Sequence, residues 1–131
     1  MIEPARVYKA REVRKPWGTE QIFAELEGVY VGKVIRVNQG ESLSLQYHNA
    51  KIETISVIHG VAQIEFGEAE DSLESRTFEA GDTIHLPAGA IHRITAIDDL
   101  EFAEVSTAYA GWQTDVVRLE DRYGRSGTDV P

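Results

Sequence analysis

Between residues 19 and 107 the chain reads as a series of short strands cut by turn signals, with no helical period anywhere before residue 108. The strand segments are 19–26, 29–37, 42–48, 53–59, 61–66, 73–78, 83–86, 91–97 and 100–107. Asn38-Gln39-Gly40, the acidic run 67–72, Ala80-Gly81-Asp82, Pro87-Ala88-Gly89 and Asp98-Asp99 punctuate them. Many short strands with this spacing predict an all-β sandwich or barrel. His59-Gly60 reads as the bend of a hairpin joining 53–59 to 61–66. The apolar fraction of 42% over 131 residues supplies a core for one domain.

Residues 42–48 alternate most clearly. Ser42, Ser44, Gln46 and His48 fall on one face and Leu43, Leu45 and Tyr47 on the other. A polar face ending in Gln and His reads as a cavity lining. Glu53 follows a short break and, if that break is a turn, returns to the same face. His92 stands just after Pro87-Ala88-Gly89. These four residues, Gln46, His48, Glu53 and His92, are the candidate metal ligands. The chain has no cysteine, so the donors must be nitrogen and oxygen. Two imidazoles, one carboxylate and one amide leave a divalent ion with positive charge to polarise a hydroxyl or carbonyl. The other histidines, His59 and His85, read as structural or exposed.

The net charge of −9, from 22 acidic and 13 basic residues, argues against nucleic acid or an anionic membrane as partner. A small anionic ligand is compatible, because a pocket needs only a few local cations. No apolar run reaches signal-peptide or membrane-spanning length, so a cytoplasmic protein is expected. Residues 1–16 read as an N-terminal arm, 17–107 as the barrel, and 108–131 as a helical or looped tail frayed from residue 126.

Two spacings resemble the motifs of the cupin superfamily. Gly40, Gln46, His48, Glu53 and Gly60 match the first, with Gln46 in place of its first His. Gly81, Pro87, Gly89 and His92 match the second. Over residues 14–125 the chain further resembles the cupin module of type II mannose-6-phosphate isomerases, which is also the C-terminal part of bifunctional isomerase–guanylyltransferases. The pieces are Pro16-Trp17-Gly18, Lys33, Gln39 to His48, Leu86 to Arg93, and Val117 to Arg125. Gln at the first ligand position is typical of that group.

The resemblance implies a double-stranded β-helix (jelly-roll barrel) with a divalent metal held by Gln46, His48, Glu53 and His92. Zinc is the first expectation, with manganese, iron, cobalt or nickel as alternatives. It implies interconversion of an aldose phosphate and its ketose through a cis-enediol. Lys33, Arg93 and Arg125 would contact the phosphate or sugar. Lys51, Glu104 and His85 are the candidate bases, with Lys51 the catalytic assignment. A homodimer is expected, and no nucleotidyltransferase domain, because the chain is short and has no Gly-rich nucleotide loop. The chain departs from the family's Arg-x-Glu-His-Trp at Lys51, Thr54 and Ile55. Two other functions therefore stand beside the isomerase: a metal-binding cupin acting on another small polar substrate, and a non-catalytic sugar-binding or regulatory cupin.

Overall fold

The computed structural model describes residues 2–128. Its strands are β1 (Arg11–Lys15), β2 (Gly18–Leu26), β3 (Tyr30–Val37), β4 (Leu45–Tyr47), β5 (Glu53–His59), β6 (Ala62–Gly67), β7 (Glu74–Phe78), β8 (Thr83–Leu86), β9 (Ile91–Ala96), β10 (Leu100–Thr107) and β11 (Val117–Glu120). They form two antiparallel sheets, one of six strands in the order β1-β2-β3-β10-β5-β8 and one of five in the order β11-β4-β9-β6-β7. Their inner faces meet in a core that includes Trp17, Ile35, Val57, Ile64, Ile94 and Phe102. Nine of the strands lie within a few residues of the segments predicted from the turns. Among the described residues no helix is long and apolar enough to cross a membrane.

The two remaining strands correct the reading of the termini. Arg11–Lys15, assigned to the arm, pairs with β2 through the tight turn at Pro16-Trp17, with Lys15 opposite Gly18. Its charged sequence hid it, because β1 is a sheet edge with water on one side and a polar cavity on the other. The helical tail is also corrected. Residues Trp112–Thr114 make one 3-10 turn, and Val117–Glu120 joins the second sheet opposite β4. Four residues are too few to display a period, and their ladder partner lies some 70 positions upstream in sequence. Of the residues expected to fray, 126–131, Gly127 and Thr128 are tied back by backbone hydrogen bonds to Arg118 and Arg125, and 129–131 lie outside the described residues.

His59-Gly60 is not a hairpin bend. β5 pairs with β10 and β8, whereas β6 pairs with β7 and β9, so the chain changes sheets there. Gly60 adopts φ +86°, and a Cβ added to it would lie 2.2 Å from the backbone oxygen of Asp99. Both the left-handed backbone and the close approach exclude a side chain. Gly60→Ala is therefore expected to cost at least about 2 kcal/mol, or about 7 °C in Tm for a chain of this size, measured by thermal unfolding.

Candidate metal centre

The change of sheets between β4 and β5 builds the site. Gln46 on β4 lies directly opposite His92 on β9 in the five-stranded sheet. His48 follows β4, and Glu53 opens β5 in the other sheet. The sequence reading placed Glu53 on the face carrying Gln46 and His48. It instead meets them across the barrel interior.

His48, Glu53 and His92 converge. The Glu53 Oε1 stands 3.2 Å from His48 Nε2 and 3.0 Å from His92 Nε2. All three residues are buried. Each ring is fixed from behind. His48 Nδ1 donates to the backbone oxygen of Asp115 at 2.6 Å, and His92 Nδ1 donates to that of Ala90 at 3.0 Å. A backbone carbonyl only accepts, so Nδ1 carries a proton in each ring, and the neutral, metal-binding form of each ring turns its Nε2 lone pair toward Glu53. Three acceptors thus face one another. His48 Nε2 and both Glu53 oxygens are buried with no hydrogen bond. Such a set is costly alone and becomes favourable around a cation. The residues fit a divalent metal.

Charged neighbours complete the centre. Lys51 Nζ lies 3.7 Å from Glu53 Oε2 and 3.9 Å from Glu104 Oε1. Burial opposes ionisation of Glu53, but Glu104 and the Lys51 charge act against it, and the carboxyl lies well below its ordinary range. Burial, reinforced by the Glu53 charge, pushes Glu104 up to about 8. Burial disfavours the Lys51 ammonium, but Glu104 and Glu53 more than offset this and raise its pKa. Lys51 is therefore a cation at neutral pH.

A cavity of about 280 Å³ opens beside the centre and is lined by Gln46, His48 and Lys51. Gln46 Oε1 there accepts a hydrogen bond from Ser44 Oγ at 2.6 Å. Six basic residues line the cavity (Arg11, Lys15, Lys33, Lys51, Arg118 and Arg125) against three acidic ones (Glu20, Glu104 and Asp115). In a chain of net charge −9 this is a local reversal of sign. Lys33 Nζ is 3.1 Å from Glu20 and lies 5.5 Å from the centre of the Trp112 ring. Arg125 is held by Asp121 at 3.0 Å. Burial, with the charges of Lys33, Arg125 and Arg118, lowers the pKa of Lys15.

Not all expected residues reach this cavity. Arg93 follows His92 on β9 and points the opposite way, where it pairs with Glu65 at 2.9 Å and Glu120 at 3.4 Å. His85 is exposed on β8 and bonded to Thr54 at 3.1 Å. The departure at Thr54 therefore lies on the outer face, while Ile55 packs into the core. Sequence reasoning passed over Lys15, Arg118, Glu20, Trp112 and Asp115. The alternation of Arg11, Val13 and Lys15, all of which line the cavity, was the one signal available for β1.

Comparison with known proteins agrees with this architecture. The family described as mannose-6-phosphate isomerase C-terminal matches residues 4–121. The chain is 34% identical over 117 residues to the mannose-1-phosphate guanylyltransferase ManC of Salmonella typhimurium, covering 88% of this chain and 23% of that protein. It is 33% identical over 122 residues to the alginate biosynthesis protein AlgA of Pseudomonas putida, covering 91% and 24%. The chain thus spans about a quarter of the length of these relatives. Among solved structures, the capsular polysaccharide assembling protein CapF of Staphylococcus aureus superposes with TM-score 0.75 at 18% identity, over 88% of this chain and 33% of that one. Oxalate decarboxylase from Bacillus subtilis gives 0.73 at 19% identity, over 84% and 30%. The shared fold is the cupin barrel.

Proposed function

The chain belongs to the mannose-6-phosphate isomerase C-terminal family, and from that premise we propose that it is a metal-dependent aldose–ketose isomerase of sugar phosphates, with mannose 6-phosphate the first substrate to test. One observation carries the reading: three buried acceptors aimed at one point, at the edge of a cavity whose charge is opposite to that of the chain. His48, Glu53 and His92 hold the metal, with Gln46 as the fourth ligand and zinc as the first candidate. The bound ion supplies Lewis-acid stabilisation of negative charge on the sugar oxygens.

The chain's own groups divide the remaining work. Lys15, Lys33, Arg118 and Arg125 form a cationic pole for the phosphate. The Lys51 ammonium adds positive charge beside the reacting oxygens. Glu104 is the candidate base. Its carboxyl, raised to about 8, is matched to proton transfer near neutral pH. It takes the proton from C2 and returns it to C1 while the hydroxyl proton passes from O2 to O1, so the enediol forms and collapses to the ketose with no net gain or loss of protons. Lys51 is too firmly protonated for that step, and His85 lies outside the cavity. The guanylyltransferase named for the relatives is not carried over, because the match covers only a quarter of their length.

The test is a coupled assay for fructose 6-phosphate formed from mannose 6-phosphate. Turnover is expected to vanish on chelation and to return when a divalent ion is restored. No turnover by protein carrying stoichiometric metal would sink the isomerase reading and favour a cupin acting on another small polar molecule.

A further inference from the structure

Asp115 sits between the Trp112–Thr114 turn and β11, and it makes two kinds of contact at once. Its carboxylate accepts three consecutive backbone N–H groups, from Asn49 at 2.7 Å, Ala50 at 3.0 Å and Lys51 at 2.9 Å. Its own backbone oxygen accepts the Nδ1–H of His48 at 2.6 Å. Residues 48–51 lie in the crossing from one sheet to the other. The three N–H groups have no ladder partner there; Asn49 and Ala50 are exposed, but Lys51 is buried, where a donor without an acceptor costs about 1–3 kcal/mol. One carboxylate satisfies all three. Burial opposes its charge, yet the three N–H groups hold its pKa below the ordinary range.

The two histidines differ in this respect. His92 is anchored by Ala90, two positions away in its own turn. His48 is anchored from a segment 67 positions downstream. The aim of His48, unlike that of His92, therefore depends on a contact remote in sequence.

We propose that Asp115 is the positioning residue of the metal centre, fixing His48 in the Nδ1–H tautomer and pinning the crossing that carries Lys51. The inference rests on the metal reading given above. A group that orients a ligand in this way commonly changes metal affinity by about tenfold to a hundredfold when removed.

The experiment uses the full chain as wild type, Asp115→Asn and Asp115→Ala. Each is titrated with Co(II) and followed by visible absorption, and nitrogen NMR reads the histidine tautomers in metal-free protein. Wild type is expected to bind one Co(II) with His48 in the Nδ1–H form. Asp115→Ala is expected to bind it about tenfold to a hundredfold more weakly, with a changed spectrum and a mixed His48 tautomer, while the His92 tautomer stays as in wild type. Asp115→Asn should fall between, because it keeps one acceptor but turns an NH2 toward the remaining N–H. Failure of wild type to bind Co(II) overturns the metal reading and this inference together. Wild-type binding matched by both variants, with unchanged spectrum and tautomer, overturns the role of Asp115 alone. Should Asp115→Ala fail to fold, Asp115→Asn is read by itself, and wild-type affinity and tautomer there overturn the proposal.

Discussion

Replacing Glu53 by Gln is expected to abolish metal binding and turnover while leaving the metal-free protein folded. The substitution is isosteric, so packing is unchanged. In wild type the Glu53 Oε1 faces the Nε2 atoms of His48 and His92, 3.2 and 3.0 Å away, and all are acceptors. An amide nitrogen in the place of Oε1 brings two hydrogens to two lone pairs. The mutation therefore satisfies atoms that the wild-type protein leaves without partners. Lys51 loses one carboxylate but keeps Glu104, which ionises more readily once the Glu53 charge is gone. Metal-bound protein shows the opposite effect. At a metal concentration about a thousandfold above Kd, binding stabilises wild type by about 4 kcal/mol, or about 10–15 °C in Tm. Glu53→Gln should show no such rise and contain no stoichiometric metal. Elemental analysis and thermal scans, with and without chelator, make the measurement. A variant that keeps its metal contradicts the proposed ligand set.

Which parts of this site the sequence revealed follows from the physics of each part. The strands were legible because turn residues and period-2 alternation are local properties. Gln46, His48 and His92 were legible for the same reason: each sits at a fixed offset from a glycine or proline turn. The partner of each strand was not. His59-Gly60 looks like a hairpin bend locally and is a change of sheets globally, and only the pairing of β6 with β9 distinguishes the two. Arg93 was assigned to the site by the resemblance, but it follows His92 on β9, and adjacent strand residues point to opposite faces. The alternation rule, applied to Arg93 as it was to residues 42–48, would have placed it outside. Asp115 gave no signal, because its role is to satisfy backbone groups some 65 positions away. The cationic pole was scattered over β1, β3, β11 and the tail, and no single window of sequence contains it.

That pole carries the second large effect. Lys15→Met is expected to stabilise the ligand-free protein and to weaken sugar-phosphate binding. Lys15 is partly buried; burial disfavours its charge, Glu20 offsets this in part, and Lys33, Arg125 and Arg118 add repulsion, so that its pKa is lowered. The cation is thus held where the free protein gains nothing from it, and a flexible apolar side chain of similar length removes the repulsion. An anion in the cavity reverses the balance. A charge-assisted hydrogen bond is worth about 1.5–3 kcal/mol, so KM for the phosphorylated substrate should rise about tenfold to a hundredfold. Because Lys15 contacts neither the metal ligands nor Glu104, kcat should change much less than KM. Steady-state kinetics on mannose 6-phosphate, set beside thermal scans of free protein, gives both quantities. A stabilised variant with unchanged KM would remove the phosphate from this pole. A fall in kcat at constant KM would place Lys15 at the reacting carbons instead. Like Glu53→Gln, the substitution separates function from folding, because each removes a charge that the proposed ligand needs while the empty protein keeps its fold.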